Sequence, residues 1–189
     1  MPRSVRAASA GVRATRAARA LASVATLLCA GAPVAAQGAP CDTPEHRAFD
    51  FWVGRWEVRA PDGRLAGHNT IRRAMGGCVL HERYTTPTGY EGESLNMYDA
   101  SRGVWHQTWT DDAGLLLLLE GGLRGDTMVL SGETVDTAGA RVRQRISWWV
   151  ADDDPDRVRQ RWERGTSDGW AVVFDGLYLR REDPPDAPR

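Results

Sequence analysis

Phe49-Asp50-Phe51-Trp52-Val53-Gly54-Arg55-Trp56-Glu57-Val58 is the stretch on which the fold turns, an aromatic run ending in a Gly-x-Trp that enters a first strand. Just before it, Thr43-Pro44-Glu45 reads as an N-cap followed by proline at the first helical position, so one short helical turn is predicted to lead into Phe49. After it the chain alternates polar and apolar residues with the period of two of half-buried strands. Turn chemistry interrupts the alternation at Pro61-Asp62-Gly63, Gly76-Gly77, Pro87-Thr88-Gly89, Ser101-Arg102-Gly103, Asp112-Ala113-Gly114, Gly121-Gly122, the stretch 133–139, the acidic stretch 152–156 and Ser167-Asp168-Gly169. These nine breaks predict ten strands, at 55–60, 65–74, 78–86, 93–99, 104–111, 115–120, 127–132, 141–150, 157–164 and 170–181. Ten short strands joined in succession by short turns predict an all-β fold, a single antiparallel up-and-down barrel, because closure removes the exposed sheet edges. A two-sheet sandwich would need several longer crossovers, and the chain offers one moderate loop, at 133–140. The domain is expected to span 45–181, with a leader segment at 37–44 and a charged, proline-containing, disordered tail at 182–189.

Parity within the strands separates the two faces. Trp105, Gln107, Trp109 and Asp111 share one face, and His106, Thr108 and Thr110 the other; the large aromatics mark the interior. By the same rule Val142, Gln144, Ile146, Trp148 and Val150 point inward against Arg141, Arg143 and Arg145 outside. Val158, Gln160 and Trp162 point inward against Arg157, Arg159, Arg161 and Glu163, and the last strand puts Trp170, Val172, Phe174, Tyr178 and Arg180 on one face. A barrel filled for stability alone would be lined with Val, Ile and Leu, yet Glu82, Gln107, Gln144, Gln160 and Tyr178 fall at interior parity among the tryptophans. Buried polar groups cost free energy unless paired, which leaves two readings open: a polar network satisfied by itself and buried water, or a pocket with aromatic walls and polar anchors. On the second reading the candidate ligand-binding set is Glu82, Gln107, Trp109, Gln160, Trp162 and Tyr178.

The segments FDFWVGRWEV (49–58), GCVLHERY (77–84), GESLNMYD (92–99), VWHQTWTDDAG (104–114), RQRWERGTSDG (159–169) and FDGLYLR (174–180) carry a resemblance. Together they resemble an uncharacterised, often exported bacterial family with a lipocalin-like (calycin) barrel, and more distantly the nitrobindin-type, fatty-acid-binding-like barrels. The resemblance covers roughly 45–181 and implies about ten strands and no established catalytic residues. It also implies that Trp56 of the first strand packs at the closed end of the barrel against Arg180 of the last. Nitrobindin-like barrels hold haem through a histidine, and here the pattern departs: Gly54-Arg55-Trp56 lacks the further glycines of that group's motif. Nor are the histidines placed for it, since His106 has outward parity, His46 precedes the barrel, His81 opposes Glu82 in parity, and the strand of His68 does not separate into faces.

Other chemistries find little footing. The four histidines are scattered, and Asp111-Asp112 and Asp152-Asp153-Asp154 lie in turns, where acids cap and solvate, so no metal site is expected. Spacing identifies no nucleophile–base–acid set. An enzyme would rest on Glu82 or Asp111 as a buried base. The arginine stripes at 141, 143, 145 and 157, 159, 161 read as a solvent face partly neutralised by Glu163 and the acidic turn, ahead of an anion-binding surface.

Residues 1–36 have the composition of a signal peptide: Arg3, Arg6, Arg13, Arg16 and Arg19, a short apolar segment at 20–30, and the small-x-small pattern Val34-Ala35-Ala36, with cleavage expected after Ala36. Leu28 is too bulky a neighbour for Cys29 to be a lipid-modified cysteine. Removing that segment takes away five bases and no acids, leaving 19 arginines against 25 acids, with no lysine anywhere in the chain. Such an acidic exported chain is a poor partner for nucleic acid or anionic membrane surfaces. The two remaining cysteines, Cys41 and Cys78, are an even number in an oxidising compartment and read as one disulfide, with two unpaired buried thiols as the alternative. Taken together the residues predict a periplasmic or secreted lipocalin-like protein that binds a small, partly apolar molecule, with an enzyme of the same fold as the alternative. They name neither the ligand nor the oligomeric state.

Overall fold

The alternation closes on itself. The computed structural model describes residues 40–182. The signal-peptide reading of 1–36, the first residues of the leader and the tail beyond Glu182 lie outside the described residues. The ten strands are β1 Gly54–Arg59, β2 Leu65–Ala74, β3 Val79–Thr85, β4 Glu91–Asp99, β5 Val104–Asp111, β6 Leu116–Arg124, β7 Thr127–Val135, β8 Arg141–Val150, β9 Arg157–Thr166 and β10 Gly169–Arg181. Each pairs antiparallel with its neighbours in sequence, and β10 pairs with β1, so the sheet is a closed up-and-down barrel. The short helix α1 (Pro44–Arg47) and a single 3-10 turn (Asp50–Trp52) precede it. The Thr43 hydroxyl donates to the Glu45 carboxylate at 2.6 Å and makes no cap to the helix backbone.

Two predicted boundaries move for a physical reason. Gly121 and Gly122, read as a turn, lie inside β6, because the β7 backbone comes close at Gly121: a Cβ there would stand 2.1 Å from the Val129 carbonyl oxygen. The turn falls at Gly125 instead, where φ is +59°. Likewise β7 continues to Val135, so the loop expected at 133–140 shrinks to a tight turn in which Asp136 accepts the backbone N–H groups of Ala138 and Ala140 at 2.9 and 2.8 Å.

One face assignment is corrected. The register of β10 slips between Val172 and Phe174, a bulge that inverts parity. Phe174 and Tyr178 keep to the interior, but Trp170 and Val172 turn out. Val172 is exposed, and Trp170 lies on the outer wall beneath the guanidinium groups of Arg143 and Arg145, at 4.9 and 4.2 Å from its ring centroid. The arginine stripes are largely paired there: Arg145 with Glu163 at 2.8 Å, Arg159 and Arg161 with Asp175 at 2.7 and 3.2 Å, Arg141 with Glu133 at 2.9 Å. No helix among the described residues is long and apolar enough to cross a membrane.

The chain plugs its own barrel. Phe49 and Trp52 are fully buried, their rings stacked at 4.9 Å between centroids, and both pack on Trp148, at 5.1 and 5.4 Å. The Trp105 indole donates to the Glu45 carbonyl at 3.1 Å, and the Trp56 indole to the Trp52 carbonyl at 2.9 Å. Cys41 and Cys78 form a disulfide that fastens the start of this segment to the entry of β3. A disulfide is compatible with an oxidising, exported location. Thiol titration of the denatured, unreduced protein is expected to find neither Cys41 nor Cys78 free; two reactive thiols would contradict the bond.

At the same end Arg180 caps the first strand, as the resemblance implies. Trp56 and Arg180 are register partners, and the guanidinium sits 4.2 Å from the indole centroid while donating to Val53 O at 2.9 Å and Asp156 Oδ1 at 2.6 Å. The glycine of the Gly-x-Trp is explained by this contact. Gly54 has φ +152°, and a Cβ there would stand 2.2 Å from Arg180 Nη1. Arg180→Ala is expected to lower stability by about 0.5–2 kcal/mol through the lost cation–π contact. Denaturant titration measures this; an unchanged midpoint would show that the stack contributes nothing.

A candidate binding cavity

The barrel interior is layered along its axis. In β3 the inward residues Leu80, Glu82 and Tyr84 step from the plugged end toward the other end, as do Trp105, Gln107 and Trp109 in β5 and Val158, Gln160 and Trp162 in β9. The first member of each series belongs to an apolar core continuous with the plug, the second to a polar belt, the third to an aromatic layer. Against that aromatic layer lies a cavity of about 210 Å³. All six residues singled out by parity, Glu82, Gln107, Trp109, Gln160, Trp162 and Tyr178, line it. Tyr84, Tyr90 and Phe174 complete the aromatic wall.

The belt is one hydrogen-bonded chain across six strands. Gln107 Nε2 donates to Asn96 Oδ1 at 2.8 Å, Asn96 Nδ2 to Ser94 Oγ at 2.8 Å, and Ser94 Oγ to Glu82 Oε2 at 2.5 Å. From the other side Asn69 Nδ2 donates to Glu82 Oε1 at 2.7 Å and approaches Tyr178 Oη at 3.4 Å, and the Tyr178 hydroxyl donates to Gln160 Oε1. Asn69, Ser94 and Asn96, all buried, were not among the candidates. Gln144 has interior parity but serves differently: its Nε2 donates to Thr134 Oγ1 at 2.8 Å and its Oε1 accepts the Trp162 indole N–H at 2.8 Å, which fixes a wall ring.

The belt is not fully satisfied. Gln107 Oε1 and Gln160 Nε2 bond to no protein group, Asn69 Oδ1 is buried without a partner, and so is the Trp109 indole nitrogen. That indole lies near enough to Asp111 to help hold its charge, yet outside hydrogen-bond geometry.

The two acids weighed as bases differ sharply. Burial pushes the Glu82 carboxyl up to about 7, against the pull of its bonds from Ser94 and Asn69. Burial also acts on Asp111, but the backbone N–H of Leu115 at 2.9 Å, the Tyr90 hydroxyl at 2.8 Å and the Ala113 N–H at 3.0 Å outweigh it and hold the carboxylate below its usual range. Asp111 is the cap of a turn and leaves Glu82 as the sole candidate base. The tyrosines beside it stay protonated: burial raises Tyr178 well above its usual value and Tyr84 to about 12.

None of the four histidines lines the cavity. His81 and His106 lie on the outer wall, 3.0 and 3.2 Å from Glu93 and Glu120, His68 is exposed, and His46 packs edge-on against Tyr98. Among the described residues no group of three or more His, Cys, Asp or Glu side chains is arranged to hold a metal ion.

Fold and cavity define a class: an up-and-down barrel of ten strands, stoppered at one end by its own N-terminal segment, with a small aromatic cavity toward the other. No family model matches the chain, and no curated protein matches it by sequence.

Proposed function

We propose that this chain is an exported, lipocalin-like protein, periplasmic or secreted, that binds a small, partly apolar molecule in the cavity. The observation that carries the reading is the pairing of aromatic walls with polar groups left without protein partners, Gln107 Oε1 and Gln160 Nε2. A guest that meets those groups gains hydrogen bonds as well as burial. The volume lies below the roughly 300–1,000 Å³ of drug-sized pockets and suits one ring with a short substituent.

Mass spectrometry of small molecules released from protein purified out of its native host tests the reading directly. Trp109→Ala removes a wall and is expected to weaken retention of the released molecule about 10- to 100-fold, the equivalent of one large apolar side chain. Arg143→Ala on the outer wall is expected to leave it unchanged. Equal loss in both variants, or no loss in either, would count against the cavity. Gln107→Leu is a poorer probe because it also strips a donor from Asn96 and costs folding. N-terminal sequencing of the exported protein tests cleavage after Ala36.

A second reading rests on Glu82 alone. A carboxyl facing a cavity with a pKa of about 7 can take and return a proton near neutral pH, as a general base must. Turnover abolished by Glu82→Gln would favour the enzyme.

A further inference from the structure

The charge distribution of the cavity bears on what kind of molecule enters it, an inference that rests on the binding reading above. Glu82 is the one carboxyl among the lining residues, and no arginine or histidine lines the cavity with it. Every partner of its two oxygens is a neutral donor, Asn69 Nδ2 and Ser94 Oγ. The bonds behind Ser94 run the same way, from Gln107 to Asn96, from Asn96 to Ser94 and from Ser94 to Glu82, so the dipoles of the belt converge with their positive ends on this one group. A belt wired to stabilise negative charge, with no cationic side chain beside it, lacks a counter-ion.

Two lining amides keep a group without a protein partner, the acceptor Gln107 Oε1 and the donor Gln160 Nε2, and an ammonium meets the first of them. The space in front of Glu82 is enclosed by the rings of Tyr84, Tyr90, Trp109, Trp162 and Phe174, and aromatic rings attract cations through their quadrupole. Beside Tyr90, Asp111 adds a second negative charge, since it accepts the Tyr90 hydroxyl at 2.8 Å. An anionic guest would have to lie against Glu82 and beside Asp111, at a cost in repulsion and desolvation.

We propose that the cavity takes a small organic cation, a protonated amine on a short apolar body, with its ammonium group against Glu82 and Gln107 Oε1 and its body among the rings of Trp109 and Trp162. The ammonium supplies the donor that Gln107 Oε1 lacks, and the body is the size of one ring. Binding is then linked to the ionisation of Glu82. The groups that face Glu82 from the elements around it are Asn69 of β2, Ser94 of β4 and Tyr178 of β10, with Tyr84 on its own strand and His81 on the outer side of that strand. Both tyrosines remain neutral, so within the cavity the titration is that of Glu82.

Isothermal titration calorimetry on the mature protein with three near-isosteres, 2-phenylethylamine, 2-phenylethanol and phenylacetate, separates the possibilities. The amine carries its charge throughout, since aliphatic amines titrate near 10. At pH 8 it is expected to bind at least about tenfold tighter than the alcohol, with phenylacetate weakest, the margin of a charge-assisted hydrogen bond. At pH 5.5, where Glu82 is mostly protonated, its affinity is expected to fall from the pH 8 value toward that of the alcohol, by about 30-fold at most. In Glu82→Gln the amine should bind like the alcohol, with no pH dependence over that range. If the alcohol or the carboxylate binds as tightly as the amine at pH 8, and Trp109→Ala weakens it, the cavity is a binding site and the cation inference is overturned. Absence of saturable binding by all three overturns the inference and the binding reading together. The wild-type series alone decides the matter even if Glu82→Gln folds poorly.

Discussion

Trp52→Ala is expected to lower the unfolding free energy by about 3–5 kcal/mol, the range for truncating a fully buried tryptophan. Trp52 precedes the first strand, yet it is wholly buried, stacked on Phe49 and packed against Trp148, and its carbonyl accepts the Trp56 indole at 2.9 Å. The barrel wall cannot collapse into the space, since its strands are held by pairing on both sides, so the cavity term is nearly undiminished. The disulfide acts on the same segment from the other side. Joining Cys41 to Cys78 across a sequence separation of 37 restricts the unfolded chain, and reduction is expected to cost up to about 4 kcal/mol in the chain-entropy description. Chemical denaturation of the variant and of the reduced protein checks both. A loss below about 1 kcal/mol for Trp52→Ala would mean that the plug is an appendage and the barrel is complete without it.

A second large effect is expected in the pH dependence of stability. In the folded chain Glu82 keeps its proton up to about pH 7, whereas its ordinary value is 4.5. Between those values the folded state binds more protons than the unfolded state, so stability falls as pH rises through that window and the loss is complete above it. The contribution amounts to roughly 2–3 kcal/mol between pH 5 and pH 8. Glu82→Gln has no such proton to lose. Its stability relative to the wild type should therefore improve by that amount on going from pH 5 to pH 8, a comparison in which the other titrating groups cancel. An equal pH profile for both proteins would show that Glu82 is ionised at ordinary pH in the empty barrel. A small organic cation in the cavity should offset the same loss at pH 8, because it binds the ionised form.

The strand count, the turns and most of the inward faces were legible because a half-buried strand writes its burial into the chain with a period of two. Where the outward neighbours are arginines, as in β8 and β9, contrast is high and Gln144, Gln160 and Trp162 stand out. In β4 the contrast is reversed: Leu95 and Met97 are exposed at 47% and 43% while Ser94 and Asn96 are buried. Hydropathy alone would turn that strand inside out, and this is why two members of the belt went unseen. Their signal lay in pairing rather than composition, since the turns before and after β4 set Ser94 opposite Glu82 and Trp109. Trp170 failed for the complementary reason. An extra residue in a strand changes parity without changing composition, so nothing short of the register of β10 on β9 could place that ring outside, under Arg143 and Arg145.

By itself, then, the order of residues determined what is local or periodic: the helical turn at Thr43-Pro44, ten strands in succession, the even pair of cysteines, and a set of polar residues at interior parity on five strands. What only the tertiary structure decided is non-local. That Phe49 and Trp52 stopper the barrel, that Glu82 collects donors from β2 and β4, and that Asp111 is spent on a turn while Glu82 is left to titrate all depend on which side chains meet across the barrel. A pKa, a cavity and an unpartnered amide are properties of such meetings, and meetings between residues far apart along the chain leave no periodic trace in it.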